Sequence, residues 1–350
     1  MQRKEEEVYD GIQAHFSCDQ GRIKFISHLL VALLKLTNCS LSEWSRAISQ
    51  PTQRASRYKR LQGFVGQFRF SSRLYAQLVW SLYGQQAKVI LTLDRTDYQM
   101  RGEWIQVLML GIAHQGISIP LLWHTRNRQG NAAASSRAAL LSALQRWLPG
   151  KAHQQIYLTA DREFIGADIR QAGLIPIIGI RANAIITHQG KKQPARALFE
   201  CEHWRKLRKP RLVYQQRLYR AGLKLPDNDY LILVSDRYLP NIASIYAQRW
   251  QVETLFGALK SRGFQWEQCR LSQHQRVHTM LFLLAITLIW AIRTGEWLIR
   301  QGQAIPVKKL KTGKRYRNLL SIFRHGLEQL QDLALNQSHF HNLTQLLSRT

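Results

Sequence analysis

Residues 87–94 read AKVILTLD. An apolar run rich in β-branched side chains closes on a carboxylate, the pattern of a short buried strand ending at Asp94. Downstream, EWIQVLMLGIA (103–113) and GISIPLLWHT (116–125) read as two more strands joined at His114-Gln115-Gly116, so an antiparallel meander of three is expected. SSRAALLSALQRWLPG (135–150) reads as a helix closed by Pro149 and Gly150. QIYLTAD (155–161) is a fourth strand ending at Asp161, REFIGADIRQAG (162–173) a short helix stopped by Gly173, and LIPIIGI (174–180) a fifth strand. The order strand-strand-strand-helix-strand-helix-strand predicts a mixed α/β sheet.

Upstream, residues 22–87 read as short helices. ISHLLVALLKLT is apolar at helical spacing, and LSEWSRAI opens with a capping-box pattern, Ser40 three residues before Glu43. Arg54, Arg57, Lys59, Arg60, Arg69 and Arg73 cluster here. The region 1–87 is expected to bind DNA or to form a basic helical cap on the main domain. After residue 182 the pattern loosens. ARALFE, RLVYQQRLY and YLILVSD look like strands, and nine Lys or Arg but two Glu lie from Arg196 to Lys224, so a basic β-rich insertion is expected at about 182–238. Helix resumes near Pro240 and runs through IYAQRWQVETLFGALKSRGF (245–264). VHTMLFLLAITLIWAI (277–292) has 16 residues, short of the roughly 20 that span a bilayer, and is expected as a buried helix with no membrane partner. The tail, 301–350, carries the basic run Lys308–Arg317, a DNA-backbone contact or a solvated segment, before a helical end.

The chain has 350 residues, 45% of them apolar, enough for a sizeable core. Its 50 Lys and Arg against 22 Asp and Glu give a net charge of +28, a self-repulsion that a polyanionic partner relieves. The four cysteines form no CxxC pair, so neither a zinc site nor a disulfide framework is indicated. A reducing compartment fits, and MQRKEEEVYD has no apolar run of a signal peptide.

Acids are scarce enough for their positions to inform. No Asp or Glu lies between Glu43 and Asp94, or between Glu103 and Asp161. In an RNase H-like sheet the first and fourth strands are neighbours, which would bring Asp94 and Asp161 together. At about 100° per residue, Tyr246, Arg249, Glu253 and Lys260 share a narrow stripe of one helix. Glu253 then either joins the two aspartates or pairs with Arg249 one turn away. Three converging carboxylates repel unless divalent cations neutralise them, and a pair of ions about 4 Å apart suits in-line phosphoryl displacement.

The spacing Tyr246-x2-Arg249-x3-Glu253-x6-Lys260, with LDRTDY at Asp94 and TADREFIG at Asp161, resembles the YREK signature and the two aspartate motifs of bacterial cut-and-paste DDE transposases of the insertion-sequence-4 group. The resemblance runs from the N-terminal helices to about residue 330. It implies an RNase H-like catalytic core at 88–300 interrupted by a β-rich insertion, and Asp94, Asp161 and Glu253 as catalytic ligands of Mg²⁺, with Mn²⁺ able to substitute. It implies Tyr246, Arg249 and Lys260 as contacts to transposon-end DNA. It also implies double-stranded inverted repeats and target DNA as substrates, cleavage then strand transfer, a homodimer on the DNA ends, and a bacterial cytoplasmic, nucleoid-associated location. A non-catalytic DNA-binding regulator or decayed copy is the alternative. Asp97 stands where relatives often carry Asn and reads as a harmless loop acid. Glu163 is expected to point away from the site, and Trp204 to pack under a hairpin rather than hold a flipped base. His339 and His341 lack a third ligand.

Overall fold

The computed structural model describes residues 3–15, 18–130, 134–147, 155–166, 168–188, 190–309, 316–336 and 339–347. Pro149, Gly150 and most of the Lys308–Arg317 run lie outside these residues, as does the side chain of His341.

Five helices open the chain: α1 (Arg3–Ile12), α2 (Gln20–Leu36), α3 (Leu41–Ala47), α4 (Arg54–Gln67) and α5 (Ser72–Tyr83). α2 is buried along most of its length. The Ser40 hydroxyl accepts the Glu43 amide, as its spacing predicts. The reciprocal half of the box goes elsewhere: the Ser40 amide donates to Asn38 Oδ1, and Asn38 Nδ2 donates to the Glu43 carboxylate.

The sheet begins with β1 (Lys88–Met100), β2 (Glu103–His114) and β3 (Ile117–Asn127), an antiparallel meander as expected. Both connections are two-residue turns with positive φ throughout, Arg101-Gly102 and Gln115-Gly116, whose twist matches that of the strands they join. β1 does not stop at Asp94. It runs on to Met100 because β2 keeps pairing with it. What ends at Asp94 is the parallel ladder to β4 (Gln155–Ala160), whose last rung is Leu93–Ala160. α6 (Ala134–Trp147) connects the two strands, and β4 pairs in parallel with β5 (Ile175–Ile180). Between β4 and β5, the helix expected over 162–173 is instead a 3-10 turn at Arg162–Phe164 followed by the four-residue α7 (Asp168–Gln171).

β6 (Ile185–His188), β7 (Lys191–Pro194), β8 (Arg205–Val213), β9 (Gln216–Lys224) and β10 (Tyr230–Ser235) follow. They continue the same sheet, giving ten strands in the order β3-β2-β1-β4-β5-β10-β9-β8-β6-β7. ARALFE is a 3-10 turn at Ala195–Leu198, not a strand. RLVYQQRLY is not one strand but the tip of the β8–β9 hairpin, with Tyr214 and Gln215 both at positive φ. Polar pairs at a hairpin tip mimic strand alternation, which conceals the turn.

The stretch at 245–264 is not one helix. α8 (Ile242–Tyr246) and α9 (Trp250–Leu259) flank a 3-10 turn at Ala247–Arg249. Ile242, Ile245 and Tyr246 pack with Tyr157, Ile177 and Leu233 in a second, smaller core, which Trp204 also joins. Leu255, Ala258 and Leu259 belong to the main core. The turn itself touches β1 and β4. The chain therefore crosses from one sheet face to the other at this turn. α10 (His274–Arg300) is the one helix among the described residues long and apolar enough to cross a membrane, yet 89% of its apolar window is buried against the protein. It is a core helix. The chain closes with a small hairpin, β11 (Val307–Lys309) and β12 (Tyr316–Asn318), and α11 (Ile322–Leu335). α11 meets α10 through Gly326 and Gly295, where a Cβ on Gly326 would lie 1.8 Å from the Ala291 carbonyl oxygen.

Candidate active site

Asp94 and Asp161 are each the first residue past the last rung of the β1–β4 ladder. Matching ends of a parallel pair lie side by side, at the carboxyl edge where α/β sheets collect ligands. In each carboxylate one oxygen accepts the next residue's amide. Asp94 Oδ1 takes Arg95 N at 2.8 Å, and Asp161 Oδ1 takes Arg162 N at 2.7 Å. The backbone thus orients both side chains.

The 3-10 turn brings Arg249 to this edge. Its Nη1 donates to Asp94 Oδ2 at 2.9 Å and its Nη2 to Glu253 Oε1 at 2.9 Å. Of the two alternatives open for Glu253, the contact seen is the pair with Arg249 one turn away, and the same guanidinium also bonds Asp94. The Arg249 side chain is 12% exposed, while that of Glu253 is 42% exposed. Burial works against the Arg249 charge, but Tyr246, Asp94, Glu253 and Asp161 more than offset it and hold its pKa above the ordinary value. Its Nε is buried without a hydrogen-bond partner. The indole of Trp250 beneath the guanidinium is 59% exposed, an aromatic face that the sequence patterns did not single out.

Burial pushes Asp94 up to about 6, against the pull of the Arg95 amide and the Arg249 charge, and the Asp161 and Glu163 charges push the same way. Glu163 does not point away as expected. Its carboxylate receives Arg95 Nε at 2.8 and 3.0 Å, and Arg95 also pairs with Asp97. A 3-10 turn in place of an α-helical one keeps Glu163 beside the strand ends. Burial raises its pKa, against Arg95. Arg95 was not anticipated, because nothing in sequence distance relates it to Glu163.

Tyr246 is buried, and burial raises its phenol pKa. A Cβ on Gly179 of β5 would meet the Tyr246 hydroxyl at 2.9 Å and Asp161 Oδ1 at 3.6 Å. The glycine leaves the space that the phenol uses beside Asp161. Lys260 is past the end of α9. Its Nζ donates to the Asp97 carbonyl at 3.1 Å and pairs with Glu267 at 3.2 Å. His339, away from this edge, pairs with Glu7 at 2.8 Å.

The donor set suits a hard divalent cation, since carboxylate oxygens are its preferred ligands. Among the described residues no group of three or more His, Cys, Asp and Glu side chains is arranged to hold a metal ion. The Arg249 guanidinium provides the counter-charge between Asp94 and Glu253 instead.

The family described as "Transposase DDE domain" matches residues 84–290, a range that contains Asp94, Asp161 and Glu253. Among solved structures, the cryo-EM structure of the piggyBac transposase synaptic complex with hairpin DNA is similar at 13% identity, covering 96% of this chain and 73% of that one, with a TM-score of 0.45. No curated protein matches the chain.

Proposed function

Because the chain belongs to the transposase DDE domain family, enzymes of phosphoryl transfer on DNA, we propose that it cuts and rejoins DNA at the inverted-repeat ends of an insertion sequence of the insertion-sequence-4 group. In this reading the sheet from β1 to β5 is an RNase H-like core. Asp94, Asp161 and Glu253 are its catalytic carboxylates. The observation that carries the proposal is the Arg249 fork, which ties Asp94 on β1 to Glu253 on α9 beside the Asp161 strand end.

The family's chemistry uses divalent cations, and we assign Mg²⁺, with Mn²⁺ as substitute, to these three carboxylates once Arg249 has released Asp94 and Glu253. Such ions, when bound, neutralise the scissile phosphate and activate the attacking oxygen. The chain's own residues do the rest. The backbone amides of Arg95 and Arg162 fix the aspartates. Arg249 engages a DNA phosphate through Nη2 when that nitrogen leaves Glu253. Lys260 exchanges the Asp97 carbonyl and Glu267 for a neighbouring phosphate, and Tyr246 supports Arg249 from below. A homodimer on paired ends, acting at the bacterial nucleoid, completes the reading.

Asp94→Asn, Asp161→Asn and Glu253→Gln should each abolish Mg²⁺-dependent cleavage of a duplex bearing the inverted repeat that flanks the gene, while gel-shift affinity is largely kept. The second reading, a DNA-binding chain without cleavage, draws on Arg249 already serving as the counter-ion. It prevails if the wild-type chain binds that duplex but never cuts it with Mg²⁺ or Mn²⁺.

A further inference from the structure

Away from the carboxylates, a cleft of about 890 Å³ opens between α3 and α4 on one side and residues 268–276 on the other. Four arginines line it: Arg46, Arg101, Arg270 and Arg276. The first three are exposed, and Arg276 is half-buried with its Nε sealed from solvent and unpartnered. None of the four guanidiniums forms a hydrogen bond or ion pair among the described residues. The acid in the wall, Glu43, already accepts Asn38 Nδ2 at 2.7 Å. Four unpaired cations converging on one cleft repel each other unless an anion lies between them.

The backbone at two of the four suggests a way to test them. Arg101 and Arg270 both sit in left-handed conformation, with φ of 54° and 52°. That region is disfavoured for any residue with a Cβ, and Gly or Asn holds it at lower cost. The β1–β2 turn demands this conformation at Arg101 and the end of the 3-10 turn Trp266–Cys269 demands it at Arg270, so asparagine at either position keeps the backbone and removes the charge.

Strand β1 fixes where this cleft lies relative to the carboxylates. Arg101 follows Asp94 by seven residues of extended chain, roughly 23 Å at the rise of a strand. Along a duplex that reach spans at most about seven base pairs. The geometry points to the cleft as a seat for the phosphodiester backbone of double-stranded DNA, within about seven base pairs of the bond to be cut, with Arg46, Arg101, Arg270 and Arg276 on its phosphates. This deepens the functional reading above and rests on it. The charges are fixed and the contacts are with phosphate, so the seat contributes affinity and register rather than sequence choice.

The test measures duplex affinity against salt for the full-length chain, using the repeat-bearing duplex, with Arg270→Ala and Arg276→Ala singly and together. Each phosphate contact removed should lower the slope of log K against log salt by about 0.9. Phosphate-ethylation interference should lose signal within about seven base pairs of the cleavage position. Arg101→Asn and Arg270→Asn separate this role from a structural one. Both should weaken DNA binding while the urea midpoint of unfolding stays level or rises. Unchanged slopes in a wild-type-like fold, or asparagine variants that lose stability and keep affinity, overturn the cleft assignment alone. A wild-type chain that binds no duplex overturns the functional reading with it.

Discussion

Gly179 shows how narrowly the candidate site is set. It lies on β5 beside Asp161, and its missing side chain is the room that the Tyr246 hydroxyl fills. Gly179→Ala forces a Cβ to 2.9 Å from that hydroxyl, so the phenol or the strand end must shift. The expected outcome is a folded chain whose cleavage rate falls by about tenfold or more, with duplex affinity changed much less. Rate and gel-shift measurements on one preparation separate the two. The sequence made Asp94, Asp161, Glu253 and Arg249 visible as candidates because each carries an unusual side chain at a recognisable spacing. It did not show that Arg249 reaches Asp94, a contact across 155 residues. Nor did it reveal Arg95 and Glu163 as partners, since a one-turn difference between 3-10 and α geometry decides where Glu163 faces.

At the scale of the elements, α10 carries a titratable group inside an aromatic cluster. The His278 imidazole stacks on Phe70 with centroids 5.0 Å apart and leans on Trp123 at 5.5 Å. Burial lowers its pKa from 6.5 to about 4, and His124, Arg69 and His274 press it in the same direction. The folded state therefore keeps His278 neutral where the unfolded chain protonates it. Its contribution is complete above pH 6.5 and is lost as pH falls toward 4, at most roughly 3 kcal/mol. His278→Phe keeps the stack and removes the titration, so urea midpoints should depend less on pH across that window than in the wild type. Element type was readable wherever periodicity was clean, as in β2, β3 and α10. It failed at 211–219 and 245–264, where a hairpin tip and a 3-10 turn interrupt patterns that remain continuous in sequence.

The molecule as a whole carries +28. At low ionic strength that charge repels itself over a Debye length of about 30 Å, which shrinks to about 10 Å at 0.1 M salt. The DNA-free chain should therefore gain thermal stability as NaCl rises from about 0.01 to about 0.2 M, and short duplex DNA at low salt should give a larger gain. Differential scanning fluorimetry checks both, and a melting temperature indifferent to salt would count against self-repulsion as a cost of the fold. The sheet is the other whole-molecule feature. The β1–β2–β3 meander followed from sequence and the β1–β4 pairing from the RNase H-like comparison, but the place of β5 and the joining of the basic hairpins to the same sheet did not, because strand pairing across the chain leaves no local pattern. Its construction has a colloidal consequence. β4 ends at Ala160 while β1 runs on to Met100, so the last residues of β1 pair with β2 but not with β4. Such a half-paired border invites strand addition from another copy. Lys260 sits on it, its ammonium on the Asp97 carbonyl. By taking up that carbonyl, Lys260 leaves one acceptor fewer on this border for an added strand.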